Sequence, residues 1–364
     1  MKNNIVLNKA KEGIRIGLLA FLIDFIFGLV ISIIVNTMFL SQLNQWINGS
    51  LSEHVGFSFP TLIRTISFVM NISVFNGGGT IQNGGEFHVG VLLFAIIPII
   101  AFWLADRREN KIKSFSFVEF IVYICSAIVF ATLLMIYSMI TRGEILGLEY
   151  QFASFRNFIM TGVIIICIQF FISLNYNKTF SPGFKSARLL LRVLLGFSIA
   201  IGLIGMVVLM GRYTGNILLM IGAIIVLLPN LAVYIMFTLM GISVQFGEQL
   251  TTLMSMAQVD VSFTTLSLPI RIGLIILYFF LLLLVILRMK KERYLRELIW
   301  FALSFSFVSF ILAYCTTINL GFVKNLLDVQ FGINYSLAFG VPFISILLTG
   351  LLVLFGRILK KELT

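Results

Sequence analysis

Long apolar runs constrain this chain more than any other feature of its sequence. A helix needs roughly 20 apolar residues to cross about 30 Å of hydrocarbon, and eight such runs occur. Apolar side chains make up 59% and charged ones 11% of the 364 residues, whereas soluble domains are about 45–50% apolar and about 25% charged. The sequence therefore predicts an all-α polytopic membrane protein with about eight transmembrane helices and the lipid bilayer as its main partner. The predicted spans are 15–39, 87–105, 115–140, 155–175, 189–211, 269–287, 298–320 and 338–356.

The distribution of Lys and Arg predicts the orientation of the spans, because positive residues are retained on the cytoplasmic side. Twenty of the 26 basic residues fall into five clusters beside the runs, and the others lie near the opposite ends. Both termini are therefore predicted to be cytoplasmic. The Lys-, Asn- and Ile-rich composition favours a bacterium, and hence its plasma membrane. The clusters are Lys2 to Arg15, Arg107 to Lys113, Lys178 to Arg192, Arg288 to Arg296 and Arg357 to Lys361.

Two further apolar segments, 59–75 and 217–246, are interrupted rather than continuous. Pro60 and Pro229 are the candidate helix breaks, and a Gly-containing stretch follows each segment. A simple crossing by the second segment would put the fourth basic cluster outside. We therefore predict two re-entrant or interfacial segments that enter and leave at the outer face, with their non-helical backbone shielded by protein or water.

The two interrupted segments resemble one another, and the features around them follow the same order. Each half of the chain runs from a basic flank and a helix through the Pro-containing segment to three further helices. Four crossings per half give both halves the same orientation, so residues 1–182 and 183–364 are predicted to form a parallel internal repeat. The alternative is a chance likeness between two apolar helices that begin with proline. The matched residues are Pro60, Leu62, Ile66, Phe68, Ile72, Ser73 and Val74, with Pro229, Leu231, Ile235, Phe237, Ile242, Ser243 and Val244.

Asp24 lies near the middle of the first predicted span. A charged side chain costs about 2.5–3.5 kcal/mol there on insertion scales, so Asp24 should face protein or water rather than lipid. One interpretation is a proton or cation site, or a partner for Arg64. The other is a structural carboxyl satisfied by its neighbours. The second half has no acid at the matching place.

Polar residues near the outer face surround the interrupted segments. They would line a vestibule or contact an extracytoplasmic partner, or else they are hydrated loop charges. Asn230 would occupy an exposed turn beside Pro229 or form a hydrogen bond across helices. With two histidines in the chain, no metal site is predicted. The outer set comprises Arg64, Glu86, His88, Glu248, Asp260 and Arg271.

The sequence contains no recognisable catalytic or nucleotide-binding motif. The glycine-rich stretch 77–85 lacks the Lys-Ser/Thr of a phosphate loop, and neither HExxH nor GxSxG occurs. The net charge of +11 lies in clusters that membrane topology explains, so nucleic acid is not a predicted partner. The sequence predicts a protein that is not an enzyme and has no cofactor, catalytic residues or metal ligands.

Two stretches together resemble the actinobacterial membrane-protein family called PerM. The first leads from the glycine-rich stretch into Phe87–Pro98 and Asp106–Arg108, and the second comprises Leu228–Val233 and Leu266–Pro269. In that family a similar glycine-rich turn precedes an apolar helix with a late proline, and a similar Leu-Pro-Asn motif opens the later segment. The loop at 247–263 lacks the family's Gly-Thr and Val-Ser-Pro elements. The resemblance implies a non-enzymatic component of cell division and envelope maintenance, and no functional residues carry over.

Two functional hypotheses follow. The first is a non-enzymatic bacterial membrane protein that supports the cell-envelope or cell-division machinery, with other membrane proteins of that machinery as partners. It depends on the resemblance and on the lack of catalytic motifs. The second is a transporter or channel-like permease with a site between the two repeats, which the paired interruptions and Asp24 favour.

Overall fold

The computed structural model describes residues 2–34, 37, 59–80, 86–109, 117–145, 148–176, 182–210, 217–246, 268–289, 293–323 and 327–362. Glu248 lies outside these residues. Within them the chain forms ten helices and seven short strands. The helices are α1 (Lys2–Ile34), α2 (Phe59–Ser73), α3 (Ile96–Glu109), α4 (Phe117–Ile140), α5 (Phe155–Tyr176), α6 (Pro182–Met210), α7 (Ile217–Leu239), α8 (Leu268–Leu287), α9 (Tyr294–Thr316) and α10 (Tyr335–Glu362). The strands are β1 (Gly77–Thr80), β2 (Glu86–Val89), β3 (Gly143–Ile145), β4 (Leu148–Gln151), β5 (Val244–Phe246), β6 (Ile318–Val323) and β7 (Leu327–Ile333).

Six of the described helices are long and apolar enough to cross a membrane, and the chain is a multi-pass membrane protein. They correspond to six of the eight predicted spans, and many of their large apolar side chains are exposed, as lipid-facing side chains must be. The six stretches are Ile5–Ile34, Glu119–Ile140, Pro182–Val207, Pro269–Leu287, Tyr294–Thr316 and Tyr335–Leu359. Two shorter apolar stretches are Phe155–Phe170 and Ile225–Leu239.

Of the other two predicted spans, one forms a continuous helix and the other does not. The run 87–105 is not one helix, because residues 86–89 form β2 and α3 begins only at Ile96. The backbone N–H of Gly90 donates to the carbonyl oxygen of Thr317 at 2.9 Å. In a continuous helix this N–H would bond instead to the carbonyl oxygen four residues earlier. The run 155–175 forms the single helix α5, which has 22 residues and is about 33 Å long.

The two interrupted segments have helices of different lengths. Helix α2 has 15 residues, about 22 Å, and begins one residue before Pro60. Helix α7 has 23 residues and continues through Pro229, whereas the sequence predicts a helix break at this proline. Neighbouring helices can compensate in a membrane for the hydrogen bond that such a proline removes.

The turns that end these segments also differ from the prediction. Helix α2 ends at a left-handed residue, Phe75 (φ 59°), and α7 ends at Gly241 (φ 81°). The glycines expected to form the first turn, Gly77 to Gly79, instead form β1. The strands were not predicted, because the membrane-length apolar runs dominate the hydropathy pattern and the strands have only three to seven residues.

The contacts divide the chain into two compact units. The first unit comprises Met1–Val89, Phe94–Lys178 and Gly321–Leu326, and the second comprises Gly90–Leu93, Thr179–Leu320 and Leu327–Thr364.

In the first unit, α1 packs against α2, α3 and α4, while α5 packs against α3 and α4. Phe130 of α4 contacts both Phe21 and Phe102, with ring centroids 5.8 and 5.4 Å away. Strands β3, β4, β1 and β2 are hydrogen-bonded in that order, and every described pairing among them is antiparallel. This sheet adjoins the ends of α2 and α4, because β1 follows α2 and β3 follows α4 in the chain.

In the second unit, α6 packs against α7, α8 and α9, while α10 packs against α8 and α9. Its buried core is apolar and includes Leu190, Leu194, Phe237 and Phe301. Strand β5, which follows α7, pairs antiparallel with β7, the strand that precedes α10.

Candidate functional site

Asp24 lies on a face of α1 that is made of small residues. At successive turns this buried face presents Gly13, Gly17, Ala20, Asp24 and Gly28. A Cβ atom added at Gly17 would lie 2.6 Å from the carbonyl oxygen of Ser126 on α4, closer than carbon and oxygen can approach. The missing side chains therefore let α1 pack directly against the α4 backbone.

The Asp24 carboxyl group is fully enclosed. Its residue is 0% exposed, and neither carboxyl oxygen has a hydrogen-bond partner among the described residues. Above and below it, Phe21 contacts Phe130 and Phe25 contacts Tyr137, at centroid distances of 5.8 and 5.6 Å. The carboxyl group is therefore buried without a polar partner among the described residues, unlike a satisfied structural carboxylate.

The hypothetical pairing of Asp24 with Arg64 is not observed. Arg64 is exposed on α2, whereas both Asp24 oxygens are buried without a hydrogen bond. The ion pairs found among the described residues join Lys9 to Glu12 at 2.7 Å and to Glu119 at 2.9 Å. These pairs lie at the N-terminal end of α1, about 20 Å along the helix from Asp24.

A cluster of polar side chains lies where α2, α4 and α5 meet. Asn71 Nδ2 donates to Ser138 Oγ at 2.8 Å and to the Ser67 carbonyl oxygen at 2.8 Å. Asn76 Nδ2 donates to Asn71 Oδ1 at 2.9 Å and to Thr161 Oγ1 at 3.0 Å. We call Asn71, Asn76, Ser138 and Thr161 the Asn71 cluster. Its members are buried, and because they satisfy one another they are tolerated there.

A small cavity adjoins the Asn71 cluster. Its volume is about 10 Å³, and Ser154 and Asn157 also line it. Asn157 Nδ2 donates to the Gly77 carbonyl oxygen at 2.5 Å, which links the start of α5 to β1. The cavity has room for about one water molecule, and its polar lining could hold one.

Asn230 in the second unit binds backbone rather than lining an exposed turn. Its Nδ2 donates to the Gly90 carbonyl oxygen at 2.5 Å, and its Oδ1 accepts from the Leu92 N–H at 2.9 Å. Asn230 is 2% exposed. The amide side chain thus bonds to one backbone carbonyl oxygen, of Gly90, and to one backbone N–H, of Leu92.

Of the remaining predicted outer residues, Asp260 lies outside the described residues, Arg271 lies on α8, and the others lie on the first unit's sheet and on α2. Glu86 and His88 both belong to β2, where Glu86 is paired with Gly79 and His88 with Gly77. On β4, burial raises the pKa of Tyr150 to about 12, and the positive charge of Arg64 partly opposes this shift. The Tyr150 phenol therefore stays neutral at physiological pH.

The sequence analysis missed the Asn71 cluster and Asn157. An acid such as Asp24 is conspicuous in an apolar run, whereas these side chains are neutral. The available signal was an amide inside an apolar segment, since such a group must find a hydrogen bond when it is buried.

Among the described residues, no three side chains from His, Cys, Asp and Glu lie close enough together to hold a metal ion. Comparison with protein-family models gives no match, and comparison with curated proteins and with solved structures gives no match either. The chemistry of the described site is therefore that of one enclosed carboxyl group, a neutral hydrogen-bonded cluster and a backbone-binding amide.

Proposed function

We propose that this chain is a non-enzymatic protein of the bacterial plasma membrane, with both termini in the cytoplasm, that supports the cell-envelope or cell-division machinery by binding a transmembrane helix of another membrane protein. The observation that carries the proposal is an open apolar groove between α8 and α10. The groove has a volume of about 740 Å³. Its lining residues are Ile276, Phe279, Phe280, Leu283, Leu348, Thr349, Leu352 and Val353.

The position and shape of this groove favour a helix as its occupant. Its lining lies in the middle of two membrane-length helices, so a water-soluble partner would not reach it. Thr349 is a small residue on its floor, while Phe280 and Leu352 are 55% and 72% exposed at its sides. A small floor between bulky sides admits a ridge of side chains from a neighbouring helix.

A parallel internal repeat is also part of the proposal, and the ends of α2 and α7 support it. Each helix closes with the same pair of backbone hydrogen bonds, one spanning five residues and one spanning three, around a left-handed residue. The bonds are Asn76 N to Asn71 O (2.9 Å), Phe75 N to Ile72 O (3.0 Å), Ile242 N to Phe237 O (2.9 Å) and Gly241 N to Thr238 O (3.0 Å). This correspondence pairs Phe75 with Gly241 and so differs from the predicted match of Ser73 with Ser243.

The strand register supports the repeat independently. Counting from the left-handed residue, the fifth residue onward is Thr80 in one unit and Phe246 in the other, and these pair with Tyr150 and Phe331. Each of these two partners also contacts an aromatic ring seven residues before the left-handed position. The ring pairs are Phe68–Tyr150, at 6.0 Å and 77°, and Tyr234–Phe331, at 4.5 Å and 90°.

The buried faces of α1 and α6 give a third line of support. Gly13, Gly17, Ala20, Asp24, Gly28 and Ser32 are buried on α1, and Gly183, Ala187, Leu190, Leu194, Ser198 and Gly202 are buried on α6. The spacing between successive residues is identical in the two sets. In both units the helix packs its first glycine against the backbone of a later helix, at Val122 in one and Glu297 in the other.

The interfacial location proposed for α2 is supported by its contacts with α4. The Tyr137 hydroxyl donates to the Ile63 carbonyl oxygen at 3.0 Å, and Asn71 donates to Ser138. Ile63 and Asn71 lie eight residues, about 12 Å, apart along α2, yet they bond to consecutive residues of α4. A helix that crosses the end of α4 would make such contacts.

The proposed function is tested with a photo-crosslinking residue at Phe280 in living cells, and with a gene deletion. We expect a crosslink to a membrane protein of the envelope or division machinery, and abnormal septation or poor tolerance of envelope stress on deletion. Leu352→Trp, which fills the groove, should fail to rescue the deletion. Ile204→Trp on α6, where Ile204 is 66% exposed, is the matched control and should rescue. Lipid adducts alone at Phe280, with full rescue by Leu352→Trp, would contradict the proposal.

A second candidate function is proton-coupled transport, which the enclosed Asp24 and the proposed repeat favour. In proteoliposomes that contain a pH-sensitive dye, the wild type should then dissipate a proton gradient faster than Asp24→Asn. Equal rates for the two proteins and for empty liposomes would remove this candidate.

A further inference from the structure

Asp24 is buried without a hydrogen-bond partner among the described residues. This burial determines whether the ionised or the protonated carboxyl group is more stable there. An ionised carboxylate with no hydrogen-bond donor and no counter-ion loses its hydration without compensation, which costs several kcal/mol. The protonated acid is neutral and loses far less. The packed α1 therefore accommodates the acid form.

Charged and titratable groups on the helices around α1 do not offset that cost. No described side chain forms a hydrogen bond with the Asp24 oxygens. The Tyr137 hydroxyl donates to the Ile63 carbonyl oxygen instead, and the described ion pairs hold Glu119 with Lys9. The titratable groups on the described parts of these helices are Arg64 on α2, Asp106 and Arg107 on α3, and Glu119, Tyr123, Cys125 and Tyr137 on α4; those of α1 itself are Lys9, Lys11, Glu12 and Arg15.

Packing alone does not require an acid at this position. Leu194 occupies the corresponding place on the buried face of α6, where it is 0% exposed, as Asp24 is on α1. An apolar side chain thus fills this place in the second unit. The carboxyl group adds to the first unit a proton-binding capacity that the packing does not need.

Helix α1 packs closely against α4 about three turns before Asp24. A Cβ atom at Gly13 would lie 2.7 Å from the Val122 carbonyl oxygen and 2.8 Å from Cys125 Cβ. Because Asp24 is 0% exposed, water can reach an ionised Asp24 only if the packing of α1 against its neighbouring helices opens. Cys125 lies at this contact, and its thiol is a natural reporter of such a movement.

We propose that Asp24 is a proton-binding site that is protonated when α1 is packed, and that loss of this proton separates α1 from α4. The first unit then has a pH-dependent conformation. This inference does not depend on the groove between α8 and α10, and it does not require net transport. It can therefore fail or succeed independently of the proposed functions.

The protonation state is measured by infrared spectroscopy on the full chain in lipid nanodiscs. At neutral pH we expect the C=O stretching band of a protonated carboxyl group in the wild type, and its loss in Asp24→Asn, which keeps the shape of the side chain. The band should fade as the pH is raised. Its absence from the wild type at neutral pH would overturn the proposal.

The conformational step is measured by maleimide labelling of Cys125, followed by mass spectrometry, from about pH 6 to about pH 10. The ratio of the wild-type rate to the Asp24→Asn rate removes the titration of the thiol itself. We expect this ratio to rise by up to about tenfold per pH unit, in proportion to the ionised fraction. Cys315, which is 3% exposed in the second unit, is the internal control, and its ratio should stay constant. A constant ratio at Cys125 would overturn the coupling between proton loss and separation of α1 from α4.

Discussion

The two units share the order of their helices and the contacts between those helices, yet they bury different chemistry. At positions that the proposed repeat matches, the first unit buries Asp24, Asn71, Asn76 and Thr161, and the second has Leu194, Phe237, Ile242 and Val341. The same architecture therefore accommodates either polar or apolar side chains. This difference teaches that the polar residues are not a requirement of the fold.

The strongest test of this comparison is to exchange the residues at the Asp24 position. Leu194→Asp removes a fully buried apolar side chain and adds an unpaired carboxyl group, so it should cost about 4 kcal/mol. Asp24→Leu should instead be neutral or stabilising, because it gives the first unit the residue of the second. Reversible unfolding in mixed micelles measures both free energies. Equal losses in the two variants would show that the two positions are not equivalent.

A second test concerns the close contact between α1 and α4. Gly17→Ala should destabilise the protein by about 1–3 kcal/mol, since the new Cβ would lie 2.6 Å from the Ser126 carbonyl oxygen. The second unit carries Ala187 at the corresponding place. Gly196→Ala on α6 is the matched control, with no atom within 4 Å of the new Cβ, and should stabilise by about 0.5–1 kcal/mol through helix propensity. Losses of similar size in both variants, measured by the same unfolding assay, would remove the contact as their cause.

The membrane helices could be predicted from the sequence, whereas the polar cluster could not. Runs such as 269–287 contain almost no charge, and their length matches the bilayer, so hydropathy alone identifies them. Asp24 was identifiable because an acid in such a run is rare. The Asn71 cluster instead depends on contacts between residues far apart in the chain, such as Asn76 with Thr161, which hydropathy does not encode.

The errors at 87–105 and at Pro229 have one physical origin. Hydropathy reports whether a segment is apolar but not whether its backbone bonds to itself. The backbone of Gly90 bonds to Thr317 and to Asn230. The first part of the run 87–105 therefore bonds to other segments, where a helix would have bonded to itself. Conversely, α7 continues through Pro229 because the helices around it compensate for the lost hydrogen bond.

A third test replaces two residues of the Asn71 cluster with the residues that the proposed repeat matches to them in the second unit. Thr161→Val leaves the Asn76 amide without one partner and should cost about 1–2 kcal/mol. Asn76→Ile should cost more, because Asn71 Oδ1 also loses its donor. The double variant should cost about 1 kcal/mol less than the sum of the single losses, since the pair is then removed together. Strict additivity would mean that Asn76 and Thr161 do not stabilise each other.

The smallest effect concerns the aromatic position that β4 and β7 share, where the first unit has Tyr150 and the second has Phe331. Burial raises the pKa of Tyr150 to about 12, whereas an unfolded tyrosine titrates near pH 10. Between these values the folded chain keeps its proton and the unfolded chain loses it, so stability falls as the pH rises, by about 1 kcal/mol per pH unit. Tyr150→Phe should remove this part of the pH dependence, because phenylalanine has no titratable hydroxyl group, while it keeps the ring that contacts Phe68. Thermal unfolding from about pH 9 to about pH 11 measures the difference. Parallel curves for the two proteins would mean that Tyr150 titrates normally despite its burial.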